Sequence, residues 1–185
     1  MTLPTPCWQT PIRPAPTRDA VVLTDPDTTL PIAPTLRAAG MTVAAATVPA
    51  LRGDPYREAM AALDRAPLII SAWSHPAVNR ATSALVAAHV AERSATPGTG
   101  PVWIRLSRNP LTPAPPSTVH IPLDRCGALA PEAHDALLDL AASDLARQVP
   151  GAALAARHFL TAFARTRRGT LTPPLAIPTA AEPLF

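Results

Sequence analysis

The stretch Pro67-Leu68-Ile69-Ile70-Ser71-Ala72-Trp73-Ser74-His75-Pro76 decides the fold class. A short apolar run ends abruptly in serine, tryptophan and histidine, and an alanine-rich helical pattern follows. A strand with one wet face would alternate apolar and polar residues. This one does not, so both of its faces are expected to be covered, as in a parallel sheet. In open α/β folds the carboxyl ends of such strands form the rim where ligands bind.

Working outward, the same grammar repeats. Asp19 to Thr24 reads as a first strand halted by Asp25-Pro26-Asp27. A helix candidate covers Thr28 to Ala39, with Pro31 and Pro34 making its first turns irregular and Gly40 as its stop. Met41 to Val48 is a second strand, and Asp54-Pro55 opens a helix through Arg65. Leu68 to Ala72 is the third strand, and Pro76 to Arg93 the longest helix. Pro101 to Leu106 is a fourth strand. Ser107 to Ser117 holds four prolines and is expected to be irregular. Thr118 to Leu123 is a fifth strand, pushed to a sheet edge by Pro122. Pro131 to Arg147 carries a strong apolar stripe, and a further helix runs from Ala152 to Arg168.

Strands alternating with helices predict a single three-layer α/β domain around a five-stranded, mainly parallel sheet. The right-handed crossover rule favours a flavodoxin-like order, 2-1-3-4-5. The chain divides into a Pro-rich N-terminal arm over 1–18, an α/β domain over 19–147, a basic helix over 148–169 and a Pro-rich tail over 170–185.

Composition excludes several chemistries. All 16 basic residues are arginine, which removes a Walker A phosphate loop, Schiff-base catalysis and a pyridoxal phosphate anchor. A phospho-accepting receiver fails too, because it needs a lysine and an aspartate where the third strand here has serine. Cys7 and Cys126 lack zinc or disulfide spacing, and a reduced, cytoplasmic protein fits. The five histidines show no metal-ligand spacing. Net charge is +3 but dispersed, apart from Arg165, Arg167 and Arg168, so nucleic acid is not the expected partner. No apolar stretch approaches the ~20 residues of a membrane span.

If the sheet forms as predicted, its carboxyl ends gather the residues that could carry chemistry. Ser74 and His75 precede a helix N-terminus, where free N–H groups favour an anion; capping that helix is their plainer role. Asn79 lies one turn beyond His75, so the two could hold a phosphate or a ribose hydroxyl. Trp73 offers a stacking surface for a base, with packing as the alternative. Arg105 and Arg108 could neutralise charge. Asp25 and Asp27 form a paired-carboxylate corner, or simply a strand-ending turn. Trp103 is expected in the core, and His89 as a buried, satisfied histidine. No dinucleotide, hydrolase or zincin motif is present.

The segment AALDRAPLIISAWSHPAVNRATSALVAAHV resembles the middle of a TIR domain: a helix, an apolar strand, a small turn with tryptophan, a helix. The following stretch, PVWIRLSRNPLTPAPPSTVHIPLDRCGALAPEAHDALLDLA, is also similar, and the likeness spans about residues 19–147. The resemblance implies a signalling adaptor or sensing domain of bacterial origin that binds a protein partner, associates with itself or takes up a nucleotide such as NAD. NAD-cleaving members carry a glutamate early in the helix after the third strand. Here that turn reads Pro76-Ala77-Val78-Asn79-Arg80, and the first glutamate is Glu92. Binding without efficient turnover is therefore the leading expectation. The alternative is an N-glycosidase or glycosyl transferase using Asp25 or Asp27 as its carboxylate. A third is a non-catalytic interaction protein acting through its Pro-rich tail and basic helix.

Overall fold

The computed structural model describes residues 18–28, 30–47, 54–73, 76–95, 100–109 and 114–170, with backbone only at 54–56, 76–81, 150 and 166–170. The two Pro-rich ends, apart from residues 18 and 170, lie outside the described residues.

Each apolar run becomes a strand: β1 (Ala20–Thr24), β2 (Val43–Thr47), β3 (Leu68–Trp73), β4 (Val102–Ser107) and β5 (Thr118–Pro122). They form one sheet in the order β2-β1-β3-β4-β5, every pair parallel. The fold is therefore α/β with a flavodoxin-like strand order, as the sequence predicts. The central strands β3 and β4 are buried along their whole length, which is why their sequences do not alternate. β5, bearing Pro122, is an edge.

Six helices follow in chain order: α1 (Ile32–Ala38), α2 (Asp54–Leu63), α3 (Pro76–Arg93), α4 (Ala133–Ala142), α5 (Asp144–Gln148) and α6 (Pro150–Thr170). They sort to the two faces by the period-2 pattern of the strands. Ala20, Val22, Leu68, Ile70, Val102, Ile104 and Ile121 point to one side, against Leu36 of α1, Leu137 of α4 and Phe159 of α6. Val21, Leu23, Ile69, Trp73 and Trp103 point to the other, against Leu63 of α2 and Val86 and Val90 of α3. Arg93 locks the second layer: its Nη1 donates to the carbonyls of Leu63 (2.5 Å) and Ala66 (2.8 Å) at the end of α2.

Local signals act where expected. Gly40 takes φ +89° just past α1, a conformation that costs glycine little. Pro31 stands at the N-cap and Pro34 inside the first turn, where a missing N–H does no harm. Two expectations need correcting. The single helix over 131–147 is two, because Ser143 sits in extended backbone, donates Oγ–H to Leu140 O (2.7 Å) and accepts from Ala146 N (3.2 Å) as the cap of α5. His89 is only half-buried, its Nδ1 3.4 Å from Asp64, on a flank of α3 that also exposes Leu85.

The connection from β4 to β5 is unusual for a parallel pair. Residues 108, 109 and 114–117 carry no helix. Among the described residues, no helix therefore joins these strands, and the α3 side of β5 lacks one of its own.

Candidate functional site

The winding of the chain reverses direction between β1 and β3, at the centre of the sheet, the kind of switch point where open α/β sheets take ligands. From β1 the chain passes through α1 to β2 on one side. From β3 it passes through α3 to β4 on the other. Asp25 stands there, one residue past β1 and only 2% exposed. Its N–H donates to Ala72 O (3.1 Å), fastening it to β3. The Thr28 hydroxyl lies 2.6 Å from Asp25 Oδ1 and 3.0 Å from Ala72 O, so one proton is shared between the two acceptors. Asp27 is exposed in the turn. The expected pair of carboxylates is thus split, because the turn that buries one aspartate points the other outward.

A second polar group lies on the α3 face of β3, β4 and β5. Alternation puts Ser71, Trp73, Trp103, Arg105, Ser107 and His120 on that side, since the register sets Ser71 beside Arg105 and Arg105 beside His120. Trp103 Nε1 donates to Ser71 Oγ (2.8 Å). Arg105 is 2% exposed, and its Nε donates to the buried Ser83 Oγ of α3 (3.3 Å). Burial holds its guanidinium below the usual arginine range.

His120 Nε2 donates to Ser107 O (2.9 Å) and lies 3.2 Å from Ser107 Oγ. The Ser107 hydroxyl donates in turn to Asn109 O (2.8 Å). Nε2 therefore carries a proton and Nδ1 is the ring's remaining acceptor. A serine whose proton goes to a carbonyl, beside a histidine nitrogen that is itself a donor, is not an activated nucleophile. Burial is the largest influence on His120 and holds its imidazole below the usual histidine range. The Ser107 carbonyl opposes it and the Arg105 cation reinforces it.

Two further expectations change. Trp73 is 0% exposed, within the same buried cluster as Leu23, Val86 and Trp103. It packs the core and presents no face for stacking; its Nε1 has no hydrogen-bond partner among the described residues. Arg108 is exposed, and its guanidinium holds the carbonyls of Asp124 (3.2 Å) and Arg125. The Asp124 carboxylate accepts from Cys126 N (2.7 Å) and Ala128 N (3.0 Å). Both residues brace one turn.

Ser74 and His75 lie outside the described residues, and Asn79 is placed by its backbone alone, in the first turn of α3. Ser71, Ser83, His120 and Thr28 join the polar groups without having been singled out. Period 2 through the third, fourth and fifth strands was the available signal. Ser83 had none, because its role depends on how α3 seats on the sheet. Among the described residues no group of three or more His, Cys, Asp or Glu side chains could hold a metal.

No protein-family model, curated protein or solved structure matches the chain.

Proposed function

We propose that the chain is a TIR-like sensing or adaptor domain that binds an anionic, nucleotide-like ligand at the carboxyl end of its sheet without efficient turnover. One observation carries the reading: Arg105, Ser107 and His120 stand side by side on β4 and β5, a strand pair that no helix joins among the described residues. A cation, a hydroxyl and an imidazole in that place suit a phosphate or a ribose. Asp25 stands at the β1–β3 switch point, the position where sheets of this order take ligands. The described groups offer binding chemistry and no activated nucleophile.

Titration calorimetry with NAD, ADP-ribose and mononucleotides tests it. A micromolar Kd is expected for a phosphate-bearing nucleotide, weakened at least about tenfold, or 1.4 kcal/mol, in Arg105→Met. Absence of heat with every nucleotide overturns the reading.

The burial of Asp25 favours a second reading, hydrolysis or transfer at an N-glycosidic bond with that carboxylate facing the developing cation. Release of free base from NAD by wild-type protein, lost in Asp25→Asn and kept in Asp27→Asn, would establish it.

A further inference from the structure

The helices α4 and α6 pack side by side on one face of the sheet, and their charges are sorted. α4 contains no arginine and α6 no aspartate or glutamate. Glu132, at the N-cap of α4, and Asp135 and Asp139 on it follow a three- and four-residue spacing and are all exposed, as are Arg157 and Arg165 on α6. Both rows thus sit on outward faces. Among the described residues no ion pair joins them within the molecule; Asp135 has only its neighbour His134, at 3.2 Å. Between the helices lies a cleft of about 490 Å³ floored by Leu160, Phe163 and Ala164. Leu138, 47% exposed, stands on its α4 side.

From this arrangement we infer that the α4–α6 face docks a second copy of the same chain about a two-fold axis parallel to the helices. The geometry selects that axis. A two-fold along the helices lays α4 of one copy over α6 of the other, acid on base, whereas one across them sets α4 on α4 and arginine on arginine. Such an axis also preserves height along the helices. The His134 and Phe163 rings, 5.6 Å apart, fix the relative level of the antiparallel pair. Glu132 lies two residues above His134, and Arg165 two residues beyond Phe163 on the antiparallel helix. Asp139 lies five residues below His134, the level of His158 beside Arg157. At about 1.5 Å per residue Glu132 therefore meets Arg165 of the partner at its own height, and Asp139 meets Arg157 within one residue of its own. Leu138 and the cleft supply the apolar centre, and the charges supply the rim and the register.

Sedimentation velocity on the full chain, at low and high salt, tests the inference. A dimer with Kd below about 100 μM is expected, weakening as salt rises. R157E/R165E and E132R/D139R reverse exposed charges, so each should keep the wild-type circular dichroism and melting curve. Each alone should weaken self-association at least about 100-fold, because like charges then face each other. Mixed in equal amounts, the two variants should form a heterodimer close to wild-type affinity, since every contact again pairs opposite charges. A wild-type chain that stays monomeric overturns the inference. So does a dimer untouched by both reversals, or a mixture that fails to associate.

Discussion

At the scale of single residues, the α3 face shows how hydrogen bonds fix polar groups in an otherwise aliphatic core. The Ser71 hydroxyl accepts the Trp103 indole N–H at 2.8 Å with both residues fully buried. Ser71→Ala should cost about 2 kcal/mol in urea unfolding, because it strands a buried donor. Adding Trp103→Phe should recover part of the loss attributable to that stranded N–H, giving a non-additive double-mutant cycle. His120 yields a pH prediction. Its folded pKa is depressed, so the unfolded chain takes up the proton more readily. Stability should hold above the unfolded value of about 6.5 and fall as pH drops through it towards the folded pKa. His158, depressed by burial and by Arg165, acts in the same window. Urea midpoints between pH 7.5 and 5 should therefore slope less in His120→Gln than in wild type, without becoming flat. An unchanged slope would remove the charge of His120 from the account.

At the scale of elements, the boundaries depend on short-range chemistry that is legible only in part. The five strands could be read because burial on two faces leaves continuous apolar runs. The division between α4 and α5 could not, because the apolar stripe passes through Ser143 without a break in period. Only the backbone there, with its Oγ serving Ala146 N and Leu140 O, reveals a cap. Ser143→Ala should lower stability by about 1 kcal/mol, the usual cost of losing such a cap, while Ser143→Asp should largely preserve it. Gly151, in the first turn of α6, shows a constraint of packing. A Cβ there would lie 2.6 Å from Met41 Cε and 3.1 Å from Leu68 Cδ2. The methionine end can move aside, so Gly151→Ala should be nearly neutral once the gain in helix propensity is counted. Gly151→Leu should cost about 1–3 kcal/mol by overpacking, read as a lower Tm.

At the scale of the whole molecule, the candidate site was less legible than the sheet. The polar groups converge only after the strands take their register. The sequence places Arg105 among groups that could neutralise charge at the rim, and gives no sign of its burial against Ser83, a helix away. Trp73 could be read as a stacking surface or as packing, and the structure makes it core. The basic helix over 148–169 has the same lesson in reverse. Its arginines suggested a separate element, yet Ala152, Ala155, Ala156 and Phe159 belong to the buried cluster shared with β1, β3 and β4. Removing residues 149–185 should therefore destroy the fold instead of trimming it. Loss of a buried phenylalanine alone costs about 3–5 kcal/mol, and three buried alanines and the cover over Leu68 and Ile70 go with it. Against a total of about 5–15 kcal/mol for a domain, the remainder cannot stay cooperative. A chain ending at Gln148 should show no sharp thermal transition and should bind a dye specific for exposed apolar surface. A cooperative melt near the wild-type Tm would mean that α6 is an appendage and that the core closes without it.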